Sequence, residues 1–207
     1  MISMIILQDK GQKKDKHVEK NQAWQKSGIQ ILDVPLPCGD YILGTEKVMD
    51  VISRKDKRGI PAKKMDFLGS YKATVDTKQS VLELVNNICG KQHARFRDEC
   101  ILAQNNGIKL YILVENLDGI TCLDHLHEWK NPRAKIMTNG TKVIGRWKNG
   151  KPKYERVPRF PKATTGEVLM KACKTMSEKY GVEFLFTRPE MSAGYVVELL
   201  KRGEEDG

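Results

Sequence analysis

Asp76 and Lys78 stand two residues apart in Val75-Asp76-Thr77-Lys78, and Gly39-Asp40-Tyr41 carries a second carboxylate upstream. Side chains two apart on a strand leave from one face, so an extended segment here puts carboxylate and ammonium on a common surface. Two acids, Asp40 and Asp76, can hold a hard divalent cation through oxygen. A lysine beside them can orient an attacking water or steady the charge on a phosphate. Together these groups suit phosphodiester hydrolysis, in which a bound cation polarises the ester and helps generate hydroxide near neutral pH. An acid-x-lysine triplet is common on charged strands, so the weight falls on what surrounds it.

The surroundings supply the elements such a site needs. The stretch 36–41, with two prolines before Gly39-Asp40, is a turn leading into a strand, and 73–78 reads as the strand bearing Asp76 and Lys78. Ser80 can cap the next helix with Glu83 three residues on, which leaves Glu83 either closing a capping box or positioning metal or water. His93, Arg95 and Arg97 open a further helix, and the two arginines are read either as a phosphate clamp or as structural ion pairs. The nearly apolar run 108–114 fits a central strand buried on both faces. Elsewhere we expect strands at 5–8 and 29–34, a helix at 17–27 stopped by Gly28, and a hairpin pairing 41–43 with 48–52. A basic excursion follows at 54–72, read as a solvated loop or an arm that contacts DNA. Helices are predicted at 82–89, 93–104, 165–180 and 191–202, with a strand at 183–187 and a frayed acidic tail at 204–206. Strands alternating with helices argue for an α/β sandwich with a mixed sheet.

In this order the motifs resemble the nuclease domain of the XPF-type structure-specific endonucleases, within the PD-(D/E)XK superfamily and nearest its small single-domain bacteriophage and bacterial members. The likeness is strong over 4–116 and resumes near Gly166 as a last helix-strand-helix. The family's first-strand aspartate falls on Asp9, in Gln8-Asp9-Lys10-Gly11-Gln12. Its Gly-Asp-Tyr falls on Gly39-Asp40-Tyr41, its glutamate-arginine-lysine on Asp76-Thr77-Lys78, and its basic-aromatic helix on His93-Ala94-Arg95-Phe96. Departures are visible: Asp76 replaces glutamate, Thr77 replaces an arginine, Glu83 lies one residue late, and Gly11-Gln12 replaces arginine-glutamate. The resemblance implies a restriction-endonuclease-like sandwich whose central mixed β-sheet is flanked by helices. It implies Mg2+, with Mn2+ as substitute, held by Asp40 and Asp76. Asp9 and Glu83 would position metal or water, and Arg95 would grip the phosphate beside the scissile bond. Branched or flap DNA would be cut in recombination, repair or phage replication, alongside recombination or replication proteins. Relatives pair through this domain, so a homodimer is implied, although no helix-hairpin-helix module follows.

The chain of 207 residues can bury a core as a single nuclease domain, 1–207, with basic insertions at 54–72 and 129–162. Its formal net charge of +10 favours a polyanionic partner. From 129 to 162 eleven lysines and arginines face Glu155 alone, an excess equal to that of the whole chain. Lys148-Asn149-Gly150-Lys151 carries the Asn-Gly signature of a β-hairpin. With Trp147 and Tyr154 beside Arg146, Lys148, Lys151 and Lys153, that hairpin can touch a phosphate backbone, stack on an unpaired base, or simply cover the core.

Five scattered cysteines form no C-x-x-C pair, so neither a zinc ribbon nor a disulfide framework is indicated. Cys122, His125 and His127 lack an obvious fourth zinc ligand. There is no Walker motif, no histidine-containing metal hairpin and no serine or cysteine nucleophile set. His17, beside Lys13, Lys14 and Lys16, is read either as a plain surface histidine, the favoured reading, or as one that approaches a phosphate from the start of its helix. The start of the chain lacks a signal-peptide pattern and no stretch is long enough to span a membrane, so a cytoplasmic protein is expected, in the bacterial host's cytoplasm if phage-encoded. A non-catalytic DNA-binding module on the same scaffold is the alternative function; retention of Asp40, Asp76 and Lys78 argues against it. An RNA partner is a third reading, which 7% aromatic residues disfavour for single strands.

Overall fold

Side chains that alternate between the two faces of one sheet build two cores. The computed structural model describes residues 4–11 and 18–205. The elements run β1 (Ile5–Asp9), α1 (Val18–Lys26), β2 (Gln30–Val34), β3 (Tyr41–Leu43), α2 (Glu46–Lys57), β4 (Ala73–Lys78), α3 (Val81–Ile88), α4 (His93–Asn105) and β5 (Lys109–Glu115). They continue with β6 (Met137–Arg146), β7 (Pro152–Pro158), α5 (Gly166–Tyr180), β8 (Glu183–Thr187) and α6 (Ser192–Glu205). The main sheet has the order β2-β1-β3-β4-β5-β8, and β6 pairs only with β7. β1 and β2 are parallel, as are β4, β5 and β8, while β3 runs antiparallel to both β1 and β4. It is a mixed α/β sheet flanked by helices.

Each strand divides its side chains between the layers. Leu110, Ile112 and Val114 of β5 join Leu84 and Ile88 of α3, Phe96 and Cys100 of α4, and Leu169 and Cys173 of α5 in the larger core. Tyr111 and Leu113 point the other way, with Ala73 and Val75, onto Trp24 of α1 and Val196, Leu199 and Leu200 of α6. Every residue of β4 is buried. Period two therefore leaves Asp76 and Lys78 on the face opposite Val75, next to α4, where the Lys78 ammonium lies 5.5 Å from the Phe96 ring centroid.

Three expectations need correction. Residues 48–52 are not a hairpin strand: they lie inside α2, with Thr45 accepting from the Val48 N–H as N-cap. Val48 and Val51 are buried on one side of that helix, so the β-branched run serves a 3.6-residue period. The basic segment 54–72 is in consequence partly helix, with Arg54, Lys55 and Lys57 in the last turn of α2 and a short 3-10 turn at Lys64–Phe67. The tail is not frayed at 204: α6 runs through it, and Glu204 accepts from the N–H groups of Lys72 (2.8 Å) and Ala73 (3.3 Å) at the start of β4. Gln12, Lys13, Lys14, Lys16, His17 and Asp206 lie outside the described residues.

Candidate active site

Three neighbouring strands bring three aspartates to one end of the sheet, and backbone hydrogen bonds set their spacing. The Asp9 N–H donates to the Asp40 carbonyl (2.9 Å), and the Asp40 N–H to the Val75 carbonyl (2.8 Å). Gly39 takes φ +70° and packs so closely on β4 that a Cβ would collide with the Thr74 side chain, so the turn needs glycine twice over. Thr74 in turn donates its hydroxyl to the carbonyl of Tyr41 at 2.9 Å.

Asp40 is then oriented by Thr77, the residue between Asp76 and Lys78. Its Oδ2 accepts from both the N–H (2.8 Å) and the Oγ1 hydroxyl (2.7 Å) of Thr77. Thr77 thus fixes the neighbouring carboxylate through both its backbone and its side chain. Asp9 is held by the N–H groups of Leu36 (2.9 Å to Oδ1) and Gly11 (3.1 Å to Oδ2), so it braces the turns around the site. Glu83 accepts from the Gln79 N–H (2.8 Å) while its own N–H donates to Ser80 Oγ (3.1 Å). This is a capping box whose reach-back lands one residue before the cap.

Asp76 and Lys78 form a buried ion pair with Nζ 2.5 Å from Oδ2. That oxygen accepts no well-directed hydrogen bond. Burial pushes the Asp76 carboxyl above its ordinary range; Lys78 opposes this, and the Asp40 and Glu99 carboxylates add to it. Burial works against the Lys78 ammonium too, but Asp76, Asp40 and Glu99 outweigh it and hold the lysine protonated beyond its ordinary range.

A cleft of about 1050 Å³ opens over these groups. Its lining includes six carboxylate residues, Asp9, Asp40, Asp76, Glu83, Asp98 and Glu99, against three bases, Lys64, Lys78 and Arg95. An anionic ester would be repelled from such a surface unless a cation joined it. Among the described residues no three His, Cys, Asp or Glu side chains form a ready-made metal cage. The donors fit a small hard cation of the kind that takes one or two carboxylates and completes its shell with water and phosphate. The buried, incompletely satisfied Asp76 oxygen is the observation that favours such an ion over a purely structural pair.

The structure gathers Asp9, Asp40, Asp76, Lys78, Glu83 and Arg95 around the cleft. It places His93 and Arg97 outside the lining: the His93 Nδ1 contacts the Ile88 carbonyl at 2.7 Å, and Arg97 pairs with Asp98 at 2.8 Å on the surface. Arg95 is exposed and enters no ion pair among the described residues. Arg146, Lys148, Lys151 and Lys153 belong to the separate β6–β7 ribbon. Cys122, His125 and His127 belong to no candidate metal group. Two cleft carboxylates escaped the sequence reading, Asp98 and Glu99, and the Glu99 Oε1 accepts from the Gly39 N–H at 2.8 Å. The signal for Glu99 was the i, i+4 relation to Arg95, which puts both on one side of α4.

The fold and this site define an α/β architecture, a mixed sheet with carboxylates gathered at its middle strands. Among solved structures the chain is similar to XPF from Aeropyrum pernix, with a TM-score of 0.50 and 14% identity over 96% of this chain and 64% of that one. XPF from the same organism in complex with DNA gives a TM-score of 0.51 and 14% identity, over 98% and 66%. The chain spans just under two thirds of the length of these neighbours, and its fold is that of the XPF-type nuclease domain. No family model and no curated protein matches the sequence. No helix among the described residues is long and apolar enough to cross a membrane.

Proposed function

We propose that this protein is a metal-dependent DNA endonuclease that hydrolyses phosphodiester bonds at branched or flap DNA. One observation carries the reading: a carboxylate-rich cleft, with a buried Asp76–Lys78 pair beside an oriented Asp40, sits at the centre of an XPF-type fold inside a chain of net charge +10. Asp40 and Asp76 would hold Mg2+ or Mn2+, which when bound polarises the ester and makes water a better nucleophile. Thr77 keeps Asp40 aimed through two hydrogen bonds. Lys78, held protonated, donates to the attacking water or to a phosphate oxygen. Arg95 offers a planar fork to the neighbouring phosphate at the cleft rim. Glu83 and Asp9 hold the turns that shape the cleft and present carboxylates to its water. A neighbour of the same fold was solved in complex with DNA, which supports DNA as the polymer. The choice of flap or junction DNA is supported only by the resemblance of the motifs to the XPF-type endonucleases.

Cleavage of matched labelled flap, junction, single-stranded and duplex DNAs with Mg2+, Mn2+ or EDTA, beside Asp76→Ala, tests this. Metal-dependent cutting that disappears in Asp76→Ala while DNA binding persists is the expected result. Tight binding with no cutting under either metal, unchanged in the variant, would make the protein a binding module instead.

A further inference from the structure

The ribbon of β6 and β7, with six bases against Glu155 alone, carries half of the chain's excess charge and almost none of its packing. All but two of its strand residues are exposed. If it served to cover the core, its apolar side chains would be buried, yet Val143, Ile144 and Trp147 are each more than half exposed. Trp147 opens the turn that joins the strands. Its N–H donates to the Lys151 carbonyl and its carbonyl accepts from Gly150, both at 2.8 Å, and the Gly150 φ of +80° allows the tight return. Arg146 braces the tip by donating to the Gly150 carbonyl at 3.0 Å. The tip is thus a fixed shape with a tryptophan at its base.

Charge is arranged around that ring. The Lys153 ammonium lies 5.1 Å from the Trp147 ring centroid, and Arg146, Lys148 and Lys151 are its neighbours along the ribbon. Tyr154, directly opposite Val143, adds a second exposed ring. A large indole left in water beside four cations fits a ligand that offers flat apolar surface and negative charge together. Unpaired nucleobases on a phosphate backbone offer both, whereas the bases of an intact duplex are stacked on one another and withhold their faces.

We propose that the ribbon tip is a single-strand sensor: Trp147 stacks on an unpaired DNA base while Arg146, Lys148, Lys151 and Lys153 hold the flanking phosphates. The choice of DNA rests on the endonuclease reading above and refines it by naming the unpaired segment of a branched substrate as what the ribbon recognises.

Trp147 supplies its own reporter. The other two tryptophans are buried and engaged, Trp24 donating to the Ala193 carbonyl (2.9 Å) and Trp129 to Asp118 (3.1 Å), so Trp147 is the one exposed indole. The full chain would be titrated in EDTA with oligodeoxythymidylate, with a blunt duplex of equal length, with oligouridylate and with polyglutamate. Tryptophan emission would be followed alongside the anisotropy of labelled DNA. The expected result is quenching by oligodeoxythymidylate, little by duplex or polyglutamate, and loss of the quenching in Trp147→Phe. Trp147→Ala should weaken single-strand binding about tenfold, with duplex binding changed less than the single strand, and Trp147→Phe should restore most of the affinity. Equal quenching by polyglutamate, equal loss for duplex and single strand, or clear preference for oligouridylate would overturn the proposal. Because EDTA removes cleavage from the measurement, failure here is separable from failure of the nuclease reading, which shows only as uncut DNA with metal present.

Discussion

Asp76 and Lys78 are nearly inaccessible, fixed on the fully buried strand of a six-stranded sheet, whereas Trp147 and its basic neighbours stand on a two-stranded ribbon in water. The cleft is rich in carboxylates and the ribbon in cations, so the net charge of +10 describes neither. A polyanion is drawn to the ribbon by long-range attraction that salt weakens. The cleft's carboxylates repel the same polyanion, so it is admitted there only with a counter-charge. Under the proposed function, affinity and chemistry would be carried by different parts of the chain, and substitutions should separate them.

The sharpest break is Lys78→Met, which should lower single-turnover cleavage by about a hundredfold to a thousandfold while leaving DNA affinity, read by anisotropy, nearly unchanged. Thr77→Val tests whether the cleft depends on its support. It removes the hydroxyl held by Asp40, and cleavage should fall about tenfold with more metal needed for half-maximal rate, while Thr77→Ser restores both. In the ribbon, Lys148→Glu with Lys151→Glu should reverse the pattern. DNA affinity drops and the salt dependence of binding flattens by about one unit of slope per lost phosphate contact, while the melting temperature stays within the range of ordinary surface changes. If that double variant unfolds the protein, the ribbon is part of the core after all.

The smallest effect concerns pH. The folded Asp76 carboxyl keeps its proton above the ordinary value of 3.8, so the folded state binds more protons than the unfolded chain as pH rises past that point. Stability of the metal-free protein must then fall with rising pH until the raised value is passed. Asp66, Asp124 and Glu167, whose carboxyls are held low by lysines, contribute the opposite slope only below their ordinary range. Melting curves from pH 5 upward should decline in the parent and be flatter in Asp76→Asn; parallel curves would show that Asp76 ionises freely when buried.

Much of this arrangement is legible in sequence where burial and period agree. Residues 73–78 and 183–187 fall on β4 and β8 at the expected boundaries, because their β-branched and aromatic residues favour extended backbone. Residues 48–52 mislead because Val48, Val51 and Ile52 satisfy a helical spacing as well as a strand propensity, and only packing decides. The ribbon strand β6 reaches back to Met137 through Asn139 and Gly140, weak strand formers that lie where β6 pairs with β7. At the site, the triplet and the Gly-Asp turn announce Asp40, Asp76 and Lys78. Glu99 and the work of Thr77 stay hidden, since both depend on which turn lies against which strand, and that is a property of the folded chain.

Gly203 and Glu204 carry a consequence for how the protein comes into being. The backbone of α6 at Gly203 approaches Ala73 and Tyr111 too closely for any side chain, and Glu204 closes on the Lys72 N–H across 132 residues. Val196, Leu199 and Leu200 cover the outer face of β4 from the same helix. On the ribosome, a chain whose cleft residues have all been translated still lacks the helix that backs their strand, and closing so long a loop is slow. The strand that carries Asp76 and Lys78 is therefore backed last, once residues 196–204 have emerged to cover it.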